Sequence, residues 1–117
     1  MRAAFVIALL FAWPAQARDW TNEELGWGAA AAAVRLADWA QTRNIVRNPD
    51  RFREVNPLIG EHPSRGRVDG VFILGSALLF AAAHYFPEYR KSILQVYVVI
   101  GGGVVARNAS IGVKMSF

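Results

Sequence analysis

The chain of 117 residues contains no cysteine. Disulfides, thiolate metal sites, a cysteine nucleophile and the acylated cysteine of a bacterial lipoprotein are therefore excluded over its length. Histidine occurs only twice, and charged residues make up 19% of the chain against 54% hydrophobic ones. Internal repeats and low-complexity linkers are also lacking. A chain of this length suffices for one compact domain.

Charge is missing altogether from the segment between Gly70 and Ala83, whose only polar side chain is Ser76. Residues 68–86 form an apolar run long enough to cross a bilayer. A turn of four residues follows it, and residues 92–106 are again apolar apart from Ser92 at the start and one glutamine. Long apolar runs are typical of membrane segments, so we predict a transmembrane helical hairpin of residues 68–86 and 90–107.

An alanine-rich helix is predicted upstream, over residues 22–43, with Thr21 or Asn22 as its cap. Within it, Arg35 and Asp38 would each cost roughly 2.5 to 3.5 kcal/mol at the bilayer centre. They are three residues apart and can pair with each other. The helix therefore either spans the membrane, which we prefer, or lies in the interface.

The first 17 residues have the features of a signal peptide. Arg2 supplies a positive start, Ala3 to Trp13 a short hydrophobic stretch, and Ala15 to Ala17 a small-x-small cleavage site. We expect cleavage after Ala17; the alternative is an uncleaved anchor. Residues 18–117 then form a single helical membrane domain, so the predicted fold is all-α, an alanine-rich helix plus a transmembrane hairpin after an N-terminal signal segment.

Arginine accumulates around the polar loop of residues 44–67. The positive-inside rule places this loop in the cytoplasm and the hairpin turn outside, which predicts a multi-pass protein of the bacterial inner membrane. The basic residues lie beside apolar runs, so we expect anionic lipid head groups as their partner and no nucleic acid. The arginines are Arg43, Arg47, Arg51, Arg53, Arg65 and Arg67.

Two short motifs, DWAQT and EVNPLIG, lie in the part of the chain from Leu36 to Phe117. Over this part the chain resembles a group of small uncharacterised multi-spanning membrane proteins of proteobacteria and their phages. The resemblance implies the membrane compartment and carries over no activity. With the charges of the helices, these motifs supply the candidate structural or interaction residues: Arg35, Asp38, Gln41, Thr42, Glu54, Asn56, Pro57, Gly60, Asp69 and Arg107.

Catalytic and metal-binding arrangements are not indicated. Ser76 and His84 invite comparison with an intramembrane serine protease, but Ala77 stands where such a serine is followed by glycine. His62 and His84 fall on opposite membrane faces of the predicted topology, which disfavours a metal site. We therefore expect no catalytic residue, cofactor or metal, and a chain that is not an enzyme.

The hairpin also predicts one ion pair. Counting outward from the centre of its turn places Asp69 opposite Arg107 and Gly75 opposite Gly101. The two charges would then meet at the cytoplasmic end of the hairpin, with Asp38 as a rival partner for Arg107.

Three functional classes remain. We favour an accessory or structural membrane protein that contacts lipid, a membrane-protein partner or further copies of itself. The alternatives are a holin-like small pore or lysis protein and a small transporter subunit.

Overall fold

A computed structural model describes residues 19–52 and 64–117. These residues form three helices and no strand: α1 is Asn22–Arg47, α2 is Arg65–Tyr85 and α3 is Arg90–Ser110. The prediction of an all-helical chain is confirmed over this part. The predicted signal segment of residues 1–17 and residues 53–63 of the polar loop lie outside the described residues.

A capping box starts α1. The Thr21 hydroxyl accepts a hydrogen bond from the Glu24 amide at 3.2 Å, and the Glu24 carboxylate accepts one from the Thr21 amide at 2.9 Å. The helix continues to Arg47, four residues past the predicted end. Asn48 ends it because the following Pro49 disfavours helical geometry at the preceding residue.

The hairpin helices are each longer than predicted. α2 begins at Arg65, where the Ser64 hydroxyl accepts from the Arg67 amide at 3.2 Å and so caps the helix. α3 begins at Arg90 as predicted and runs three residues further, to Ser110. Gly112 follows with a φ of 90°, a left-handed conformation that glycine adopts without strain.

The three helices lie side by side in alternating directions. The start of α1 contacts the hairpin turn, since Trp20 donates to His84 at 3.2 Å. Its end contacts the start of α2 through Arg43 and Asp69, and the end of α3 through its own Gln41. We call these two ends of the bundle the turn end and the loop end. A core of Ala31, Ala83 and Leu94 joins all three helices near the turn end.

Residues 111–117, which we call the return segment, fold back along α1. Val113 packs on Ile45 and Phe52, and the Lys114 amide donates to the Asn44 side chain at 3.2 Å. Further along, the Ser116 amide donates to the Ala40 carbonyl at 3.2 Å. The segment therefore runs antiparallel to α1, and it is not a strand.

Two helices of the described chain, α2 and α3, are long and apolar enough to cross a membrane. Only 17% of the apolar stretch of each helix is buried. Each helix has 21 residues, which at 1.5 Å per residue gives about 31 Å, close to the hydrocarbon thickness of a bilayer. The core helix of a soluble protein would instead be mostly buried, so this burial fits a lipid-facing helix.

Candidate functional site: a polar interior between the helices

Several polar side chains are buried inside the bundle, and large apolar side chains of α2 and α3 face outward. Arg90 and Gln41 are 0% exposed, whereas Val99 is 73% exposed. Charged residues are almost never fully buried unless they are paired, so Arg90 indicates a polar cluster among the apolar side chains of the core. The other buried polar residues are Glu24, Thr42 and Asn108, and the other outward apolar side chains of α2 and α3 include Ile73, Leu74, Leu78, Val96 and Ile100.

Arg90 closes the turn end of α2. Its Nε donates to the Ala83 carbonyl at 2.7 Å and a terminal nitrogen donates to the His84 carbonyl at 2.8 Å. These carbonyls belong to the last turn of α2, where no helix amide is left to bind them. A cation here is also favoured by the negative end of the helix dipole. One side chain from α3 thus satisfies the end of α2.

The start of α1 completes this cluster. A terminal nitrogen of Arg90 lies 3.5 Å from the Glu24 carboxylate, and both side chains are almost wholly buried. The Trp20 ring centroid lies 4.7 Å from the Arg90 guanidinium carbon, while the indole N–H donates to Nδ1 of His84. All three helices therefore meet at Arg90. Sequence reasoning missed this cluster; the available signal was an arginine directly after a short hairpin turn.

Arg35 crosses the middle of the bundle to α2. Its Nε donates to the Ser76 hydroxyl at 2.8 Å, and a terminal nitrogen donates to the Phe72 carbonyl at 3.2 Å. The guanidinium carbon lies 4.6 Å from the Phe72 ring centroid and 5.7 Å from that of Tyr97. A Cβ added at Gly75 would collide with the guanidinium. The missing side chain of Gly75 thus provides the space for Arg35.

At the loop end, Arg43 binds Asp69 through two parallel hydrogen bonds of 2.9 and 2.7 Å. Such paired bonds combine charge attraction with fixed geometry. The Trp39 indole donates to the same carboxylate at 2.9 Å, and the Trp39 and Phe117 rings lie 5.6 and 5.3 Å from the Arg43 guanidinium carbon. This cluster joins α1, α2 and the return segment.

The predicted ion pair between Asp69 and Arg107 is therefore wrong. Asp69 is bound by Arg43, and Arg107 is exposed at the surface. The predicted contact of Gly75 with Gly101 is also wrong, because a Cβ at Gly101 would meet Val34 of α1 and the Tyr97 ring. Both errors have one cause: α1 lies against the hairpin and takes the contacts that the two hairpin helices were expected to make with each other.

Two further predicted residues, Gln41 and Thr42, are buried on α1. The Gln41 amide donates to the Val105 carbonyl of α3 at 3.0 Å and accepts from the Asn108 side chain at 3.3 Å. The Thr42 hydroxyl donates to the Asp38 carbonyl, within its own helix, at 2.8 Å. Four of the predicted candidates, Glu54, Asn56, Pro57 and Gly60, lie outside the described residues.

These contacts join the helices, and each donor described above has an acceptor inside the bundle. Ser76 accepts from Arg35 and Nδ1 of His84 accepts from Trp20, so each has a structural bond. Within residues 19–52 and 64–117, no group of three or more histidine or acidic side chains is placed to hold a metal ion. No protein-family model matches the chain, and neither a curated protein nor a solved structure matches it.

Proposed function

We propose that this chain is an accessory or structural protein of the bacterial inner membrane, crossing it several times and acting through contacts with a partner protein or with lipid. The observation that carries the proposal is the exposed apolar surface of α2 and α3, where Val99 and its apolar neighbours face outward while Arg90 and Gln41 are buried between the helices. Lipid is the solvent in which such a surface costs no free energy, because apolar side chains then stay out of water.

Aromatic side chains support a membrane position. Exposed Phe86 and Tyr89 lie at the turn end, and Trp39 and Phe117 lie at the loop end. Tryptophan and tyrosine are enriched where a membrane protein passes the head groups, since their rings are apolar and their tips are polar. Two aromatic levels at opposite ends of the helices fit two bilayer surfaces.

The interior contacts support a structural role for the polar residues. Arg35, Gln41 and Arg90 each bind a main-chain carbonyl of another helix. On the surface, Gly102 and Gly103 have open space where a side chain would stand. Small residues let backbones approach closely at interfaces between membrane helices, so this face of α3 suits a partner helix.

Reporter fusions test the membrane arrangement. We expect a fusion at Gly60 to behave as cytoplasmic and one between Pro87 and Arg90 as external, because exposed arginines at the loop end oppose translocation. A fusion after Phe117 should match the one at Gly60. Release of the protein from membranes by alkaline carbonate, or an external reporter at Gly60, would contradict the arrangement.

Crosslinking in native membranes tests the accessory role. A photoreactive residue at Val99 should capture one defined partner or a second copy of the chain, and Gly103→Leu should reduce its capture several-fold by filling the space beside α3. Ile73→Leu, an exposed change on α2, is the matched control.

Induced expression of the protein should leave the membrane potential of the cell intact. Its abrupt loss would favour a holin-like pore and refute the accessory role.

A further inference from the structure

An apolar groove lies between the outer face of α1 and the return segment. Its wall is mostly apolar, and Leu36, Met115 and Phe117 are each more than half exposed. It follows α1 over residues 33–40, about two helical turns or roughly 10 Å. The lining residues are Ala33, Leu36, Ala37, Ala40, Met115, Ser116 and Phe117.

Cations stand at the loop end of this groove. A terminal nitrogen of Arg47 donates to the Phe117 main-chain oxygen at 2.6 Å, which brings the guanidinium to the lining. Lys114 is exposed in the return segment, one residue before the lining begins at Met115. Two acids lie near this end. Asp50 is exposed, whereas the carboxylate of Asp69 is already bound by Arg43. At this end the two cations, Arg47 and Lys114, outnumber the one exposed acid of the described residues, Asp50, so the side chains at the mouth of the groove carry a net positive charge.

We propose that the groove binds one anionic glycerophospholipid, with an acyl chain along residues 33–40 and the head-group phosphate on Arg47 and Lys114. The proposal rests on the membrane position proposed above and names the lipid and its site. Charge complementarity selects the anionic head group: each lysine or arginine near an anionic membrane surface strengthens the attraction of the protein to that surface by about fivefold.

The wall of the groove favours an acyl chain over a peptide. An extended peptide in a bilayer needs hydrogen-bond partners for its backbone. The Ala40 carbonyl at this wall lies within α1 and already accepts a hydrogen bond from the Ser116 amide, so a peptide backbone would have to compete for it. A chain of methylene groups needs no such partners and is matched by the alanine and leucine surface.

Native mass spectrometry of the full chain in a neutral detergent tests the site. With phosphatidylglycerol we expect one lipid retained per chain, and with phosphatidylcholine at least about fivefold weaker retention. Ala33→Phe fills the groove and should abolish retention. Ala29→Phe, also exposed on α1 but outside the lining, is the matched control and should retain the lipid.

The charge requirement is tested separately. Lys114→Gln should weaken retention of phosphatidylglycerol by about fivefold, and Arg47→Gln with Lys114→Gln by more, whereas Lys91→Gln at the turn end should not. Undiminished retention of phosphatidylglycerol by Ala33→Phe would overturn the site. So would a loss of retention in Lys91→Gln equal to that in Lys114→Gln, or complete displacement of the lipid by glycerol phosphate, which has no acyl chains. Each of these outcomes leaves the reporter topology and the Val99 crosslink unchanged, so failure of the lipid site is distinguishable from failure of the proposed function.

Discussion

Replacing Arg90 with methionine will lower the free energy of unfolding by about 3 to 5 kcal/mol, the usual cost of removing one member of a buried ion pair. The reason is geometric: Arg90 is fully buried, binds the Ala83 and His84 carbonyls and faces the Glu24 carboxylate. Methionine would leave two carbonyls and one carboxylate without this partner. Denaturant unfolding in detergent micelles, followed by circular dichroism, measures the change.

Lys91→Gln is the matched control for Arg90→Met. Lys91 is the next residue and also pairs with an acid, Glu23 at 2.6 Å, but both side chains are about half exposed. Exposed pairs contribute less than about 1 kcal/mol, so this change should be small. Adding Glu24→Gln to Arg90→Met should restore part of the stability, because it removes the buried negative charge that Arg90 no longer balances. A loss below about 1 kcal/mol for Arg90→Met would contradict the assigned role.

Gly75→Val will destabilise the chain by about 2 kcal/mol, within the range for forcing extra carbon into a packed interior. The Arg35 guanidinium occupies the space beside Gly75, and its bonds to Ser76 and the Phe72 carbonyl hold it there. The new side chain would push the cation off both acceptors. The same denaturant titration in micelles reads out the loss.

Arg35→Met should rescue Gly75→Val, because the shorter apolar side chain vacates the space that valine needs. The double variant is then more stable than the sum of the two single effects predicts, with a coupling of at least about 1 kcal/mol. Gly102→Val is the control, since nothing lies within 4 Å of the position of its Cβ. Equal losses at Gly75 and Gly102, without rescue, would show that the loss at Gly75 does not come from its contact with Arg35.

The helices could be predicted from sequence because their signals are local. Thr21 and Glu24 are three residues apart, and the capping box they form depends only on that spacing. Pro49 ends α1 by its own steric effect, although Arg and Asn residues before it made the end difficult to place. The uncharged run from Gly70 to Ala83 likewise marks α2 without reference to any other segment.

The interior contacts could not be predicted in the same way, because they join residues far apart in the sequence. Arg35 and Ser76 are separated by 41 residues, and Gln41 and Asn108 by 67. The hairpin alone offered Arg107 as the natural partner of Asp69. Only the position of α1 against the hairpin, which helical periodicity does not specify, makes Arg43 the closer cation.

Arg35 has a consequence for the order in which the protein matures. On the proposed topology, α1 leaves the ribosome carrying a charge whose acceptors, Phe72 and Ser76, are 37 and 41 residues further along the chain. Synthesis at about 5 to 20 residues per second leaves that charge without them for roughly 2 to 8 s. During this interval α1 inserts poorly by itself. On the proposed topology, α1 is therefore the last of the three described helices to insert, after the hairpin that follows it in the sequence.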